Sequence, residues 1–145
     1  MNTPYSQRIL QLAGNIGRIG HLDAPQAHAH AVSRLCGSKI SVELSLDENK
    51  CVSDYAQHVE ACALGQAAAA IMAQDIIGTP ADELHKIAAH MRAMLKDNAP
   101  PPAPTADDKW QDLAILESVR AYPARHASTL LVFDAVEDCL HQLGV

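Results

Sequence analysis

The sequence predicts an α+β fold: a three-stranded antiparallel sheet with helices packed on one face. Three observations carry that prediction. "AHAHAVS" and "KISVELSL" (residues 27–33 and 39–46) alternate small or apolar residues with polar ones, as half-buried strands do. "DENK" (residues 47–50) is a turn signal between two strand-like runs, so residues 39–60 read as a hairpin. After residue 60 the pattern turns helical.

Taken in order, "PYSQRILQLAG" reads as a short first helix with Ile9, Leu10 and Leu12 on its inner side and Gly14 near its end. "NIGRIGHLDAPQ" is a glycine-rich connection into the first strand. In "KISVELSL" the residues Ile40, Val42, Leu44 and Leu46 face one way, and Ser41, Glu43 and Ser45 the other. The third strand is "CVSDYAQHVE", ending near Glu60. "CALGQAAAAIMAQDII" is an alanine-rich helix that stops at Gly78. The next helix takes Thr79 as N-cap, Pro80 at its first position and acids in its first turn; Leu84, Ile87, Ala88, Met91 and Leu95 fall at helical spacing. A proline-rich connection near residues 98–106 comes next, then a short helix in "DDKWQDLAILESV" and a last one from Pro123 to Leu143. The stretch beyond the connection is too short to fold alone, so residues 1–145 are expected to form one domain.

Composition limits the function classes. Hydrophobic residues make up 48% of the chain but aromatics only 3%, so the core is built from Ala, Leu, Ile, Val and Met. The formal net charge of −6, with no basic stripe, argues against nucleic acid as a partner. The opening residues lack the basic start and apolar run of a signal peptide, and no apolar run approaches the ~18–20 residues of a membrane span. The expectation is a soluble, cytoplasmic protein with no membrane partner. Cys36, Cys51, Cys62 and Cys139 are then expected to be free thiols or ligands rather than disulfides, and no CxxC pair is present.

Two of these cysteines sit at element ends. Cys36, in "RLCGSK", lies between the first two strands, where Gly37 lets the backbone turn sharply. Cys62 lies where the third strand gives way to the alanine-rich helix, and the N–H groups of a helix start stabilise a thiolate. Either cysteine alone is more often a small buried apolar residue. His126 lies in the first turn of the last helix, at the margin of its apolar stripe, where it is either a metal ligand or simply the stripe's polar edge. Cys139 shares a face with Val132, Val136 and Leu143 and reads as core. Cys51 has no ligand-type neighbour, and His85 and His90 are spaced so that they do not converge. His28 and His30 share a strand face; that permits a metal pair, although an exposed polar face is the commoner meaning.

"YSQRILQLAGNIGRIGHLD", "CGSKISVELSLD", "VEACALGQAAAAIMAQDIIGTPADE" and "YPARHASTLLVFDAVEDCL" together resemble the IscU/SufU family of iron–sulfur cluster assembly scaffolds, the NifU-like N-terminal domains. The resemblance runs over nearly the whole chain. It implies a site at Cys36 and Cys62, with iron, an iron–sulfur cluster or zinc bound there, and His126 assisting if it aligns with the histidine beside the family's third cysteine. That third cysteine falls at Ala127 or Ser128, and the family's aspartate after Cys-Gly is Ser38. Two of four ligating side chains are thus replaced. The partners implied are a cysteine desulfurase and iron–sulfur acceptor proteins, with a homodimer if two chains share a cluster. The resemblance allows three functions: a non-enzymatic scaffold or carrier, a zinc-dependent sulfur acceptor for the desulfurase, or a metal-free regulatory paralogue.

Overall fold

The computed structural model describes residues 6–35, 37–102 and 109–145. Helix α1 (Gln7–Ala13) is capped by the Ser6 hydroxyl, which accepts from the Ile9 N–H, and it buries Ile9 and Leu12. Leu10 departs from expectation: it is 53% exposed, because a helix of seven residues turns only one narrow stripe inward.

Strands β1 (Ala27–Val32), β2 (Lys39–Leu46) and β3 (Val52–Glu60) form one antiparallel sheet in the order β1-β2-β3. Their alternation sets the two faces. Ala27, Ala29, Ile40, Val42, Leu44 and Tyr55 are buried beneath the helices, while His28, His30 and His58 point to solvent. At the far edge, Gln57 exchanges backbone hydrogen bonds with Arg18 and Gly20, which covers part of β3. The Gln57 side chain, 1% exposed, donates to the carbonyls of Gly17 and Ala69 and accepts from the Tyr55 hydroxyl, so a buried amide ties loop, strand and helix together.

Helix α2 (Ala63–Asp75) is nearly all buried, with Ala67, Ala68, Ala69 and Ala70 letting α1 and the last helix approach closely. Helix α3 spans Ala81–Lys96 with Pro80 at its N-cap, not Thr79; the Thr79 hydroxyl donates instead to the Asp75 carbonyl. Residues Gln111–Ala121 form a 3₁₀ segment rather than an α-helix, burying Leu113, Leu116 and Val119. A short 3₁₀ turn (Pro123–Arg125) then leads into α4 (His126–Gln142), which packs on β1, β2, α2 and α3. Part of the proline-rich connection and the first two residues of "DDKWQDLAILESV" lie outside the described residues.

Cys139 is fully buried in α4, and burial foremost, with the Asp138 charge second, pushes its thiol up to about 12. Its sulfur fills packing space. We expect Cys139→Ala to cost on the order of 1 kcal/mol in denaturant unfolding and to leave any metal content unchanged; a loss of metal with an intact circular dichroism spectrum would assign it a ligand role.

Helices α3 and α4 are also joined by His85, whose Nδ1 lies 2.7 Å from a Glu137 carboxylate oxygen. That hydrogen bond, against an opposing desolvation, raises the pKa of His85. A raised folded-state pKa adds stability that is fully present below the unfolded value and fades as pH rises through the folded one. The ring is 36% exposed, so the pair is worth only a few tenths of a kcal/mol. The destabilisation caused by His85→Ala should therefore be greater at pH 5.5 than at pH 8.5; the same loss at both pH values would contradict the pairing.

Candidate functional site

Three chain segments meet at one end of the sheet. The pairing of Lys39 with Glu60 sets the start of β2 beside the end of β3, so Ser38 and Cys62 are neighbours. The turn before β2 is closed by hydrogen bonds from Ser33 N–H to the Ser38 carbonyl and from Gly37 N–H to the Ser33 carbonyl. Gly37 has φ +73°, a left-handed conformation in which a Cβ would be strained. The third segment is the first turn of α4, brought in where α2 and α4 touch at Gly65. A Cβ built on Gly65 would lie 3.2 Å from both the carbonyl oxygen and the hydroxyl of Ser128. Glycine is what admits Ser128 to the site.

The contacts form a short chain. The Cys62 N–H donates to Ser38 Oγ at 3.3 Å, Ser38 Oγ lies 3.3 Å from Ser128 Oγ, and Ser128 Oγ lies 3.0 Å from Cys62 Sγ. If the sulfur is a thiolate it can only accept, and the proton assignment is then forced. Ser128 donates to sulfur, Ser38 donates to Ser128, and Ser38 accepts from the Cys62 backbone. Both serines are buried while Cys62 is partly buried, at the N-cap of α2 and without a side-chain cap bond. The arrangement sets the Cys62 sulfur against the Ser128 hydroxyl, with the Ser38 hydroxyl bonded behind it.

Cys36, the other predicted thiol, lies outside the described residues. His126 is 6% exposed, and its Nε2 lies 3.1 Å from the carbonyl oxygens of both Val119 and Arg120. Carbonyls only accept, so Nε2 carries the proton and only Nδ1 remains to meet a metal. Ala127 is exposed, and Ser128 is the residue of that turn that reaches Cys62. Residue patterns point to Ser128 only as one of two alignments. Its neighbour Gly65, in "ALGQAAAA", gives a signal only in the run of small residues.

The described donors suit a metal poorly. Serine hydroxyls are neutral oxygens with little claim on iron or zinc beside thiolate, and these two are engaged with one another. Among the described residues, no group of three or more His, Cys, Asp or Glu is arranged to hold an ion.

A three-stranded sheet carrying helices on one face, with a cysteine at the strand-to-helix junction, defines the scaffold-type fold that the sequence motifs led us to expect. The NifU-like N terminal domain model matches residues 4–129, and the chain belongs to that family. A NifU-like protein (N-terminal) from Brucella abortus is 48% identical and superposes with a TM-score of 0.88 over 97% of this chain and 94% of that one. The iron–sulfur cluster assembly scaffold protein IscU of Thermotoga maritima is 22% identical over 140 residues, 97% of this chain and 94% of its own length. A candidate assembly scaffold for the SUF system of Fervidobacterium islandicum shares the fold, with a TM-score of 0.82 at 19% identity over 94% and 96% of the two chains. No helix among the described residues is long and apolar enough to cross a membrane.

Proposed function

We propose that this protein is a non-catalytic scaffold or carrier in iron–sulfur cluster assembly, working in the cytoplasm and holding its cargo through a reduced set of two thiols, Cys36 and Cys62. The observation that carries the reading is a partly buried Cys62 at the N-cap of α2, its sulfur 3.0 Å from the Ser128 hydroxyl. Clusters are ordinarily held by four ligands, mostly thiolates. Two thiolates per chain reach that number when two chains share one cluster, and symmetric pairing is the commonest assembly of soluble proteins. A cysteine desulfurase supplies sulfur and acceptor proteins take the product.

The test is anaerobic loading with iron and sulfide, then size-exclusion chromatography with light scattering and metal analysis of each fraction. The expected result is a monomeric apo form and a coloured dimer holding about one [2Fe–2S] cluster per pair. Cys62→Ser should abolish the colour without changing the circular dichroism. Iron and sulfide eluting with monomers, at about two irons per chain, would sink the shared-cluster reading.

One observation favours a second reading, a sulfur acceptor: the Ser128 hydroxyl, 3.0 Å from Cys62 Sγ, is a donor placed to stabilise a thiolate nucleophile. In that reading the Cys62 thiolate attacks the outer sulfur of the desulfurase persulfide, becomes a persulfide itself and releases the desulfurase thiolate. Zinc with Cys36, Cys62 and His126 Nδ1 would position the acceptor. About one zinc per chain and no sulfide, in the same metal analysis, would favour it.

A further inference from the structure

The solvent face of the sheet carries imidazoles that the cysteine site does not use. Strand β1 buries Ala27 and Ala29 and therefore turns His28 and His30 outward. Their ring centroids are 6.2 Å apart, edge to face. The strand beneath them is fixed from the other side, where the Gln142 side-chain amide of α4 donates to the His28 carbonyl at 2.8 Å. His30 Nδ1 lies 2.6 Å from Ser41 Oγ, which sets the ring's orientation and leaves Nε2 facing out. On the neighbouring strand Glu43 pairs directly with His28, and its carboxylate is held in place by His21 Nδ1 at 2.6 Å and the Leu22 N–H at 2.8 Å.

From this geometry we propose that His28 and His30 form a surface site for a divalent ion of the zinc, nickel and copper class, separate from Cys62. Two imidazoles on alternate residues of one strand are directed to the same side, and imidazole is a ligand suited to these ions. Metal–nitrogen bonds of ~2.0–2.1 Å at a tetrahedral angle place two ring centroids about 5 Å apart. The observed pair therefore closes on an ion by a small rotation of exposed side chains. The Ser41 hydroxyl does for His30 what an outer-shell partner does in a metal centre: it fixes which nitrogen faces the ion. Glu43 adds a negative charge opposite His28, and water completes the shell. Neither the resemblance to scaffolds nor the cargo site requires these histidines, so the site stands or falls separately from the proposed function.

The test removes the competing thiols. In a Cys36→Ser/Cys51→Ser/Cys62→Ser chain, titration calorimetry with Zn²⁺ should show one ion bound per chain. Adding His28→Ala and His30→Ala should weaken binding at least about tenfold, whereas His90→Ala should not. Cu²⁺ should broaden the imidazole NMR resonances of His28 and His30 before those of the other histidines. Both histidines are solvent-facing, so the variants should keep their circular dichroism spectrum. No zinc bound by the triple-serine variant, or zinc bound equally well without His28 and His30, would overturn the site.

Discussion

Replacing Ser128 by cysteine and Ser38 by aspartate should raise zinc affinity by about a hundredfold, since it exchanges two neutral hydroxyls for a thiolate and a carboxylate. The geometry makes the first exchange direct. Ser128 Oγ already lies 3.0 Å from Cys62 Sγ, and two sulfurs on one zinc with Zn–S bonds of ~2.3 Å stand about 3.8 Å apart. The longer C–S bond and a small rotation supply the difference. Ser38 has its hydroxyl 3.3 Å from Ser128 Oγ and accepts from the Cys62 N–H, so an aspartate there is adjacent to the same pair. Equilibrium dialysis against a chelator, in a His28→Ala/His30→Ala background, isolates this site from the sheet face. Unchanged affinity in a folded double variant would show that these positions are not ligand positions in this chain. Success would show that two side chains separate this protein from a full ligand set.

Residue patterns alone reach part of this arrangement and miss the rest for physical reasons. The sheet is legible because alternation is a local signal: Ala27 and Ala29 inward, His28 and His30 outward, and the Ile40, Val42 and Leu44 face buried as predicted. The β2–β3 hairpin follows from "DENK" between two such runs. The form of residues 111–121 is not legible, because Leu113, Leu116 and Val119 recur at a spacing of three that both a 3₁₀ segment and an α-helix accommodate. Threonine is a good cap in isolation, which points to a start of α3 at Thr79, but its hydroxyl is used by Asp75 of the preceding helix. At the site, Cys62 announces itself by residue type and by its place before an alanine-rich helix. Ser128 does not. A serine carries no periodicity of its own, and its contact with Cys62 spans 66 residues. For His126, which ring nitrogen is occupied depends on the carbonyls of Val119 and Arg120, in a segment whose path only the folded chain reveals.

Gly65→Ala should destabilise the protein by roughly 1–3 kcal/mol, the ordinary cost of overpacking a close contact, although alanine is the better helix former. In an exposed helix interior the same change gains about 1 kcal/mol from propensity. Here the new Cβ would lie 2.8 Å from the Ala61 Cβ and 3.2 Å from both the Ser128 carbonyl oxygen and hydroxyl. The Ala61 methyl, on the segment that leads into α2, cannot rotate away, and the Ser128 carbonyl can give way only if the first turns of α2 and α4 move apart. That separation acts on the site as well as on stability, because the same displacement lengthens the contact between Ser128 and Cys62. Two readouts therefore belong together: a lower midpoint in denaturant, and a changed rate of Cys62 alkylation under native conditions, with Cys51 as the internal reference on the far side of the β2–β3 hairpin. A variant as stable as the parent would mean that the helices have slack at this crossing. A destabilised variant with an unchanged alkylation rate would mean that Ser128 does not govern the reactivity of the Cys62 sulfur, and that the Cys62 site tolerates loss of that hydroxyl contact.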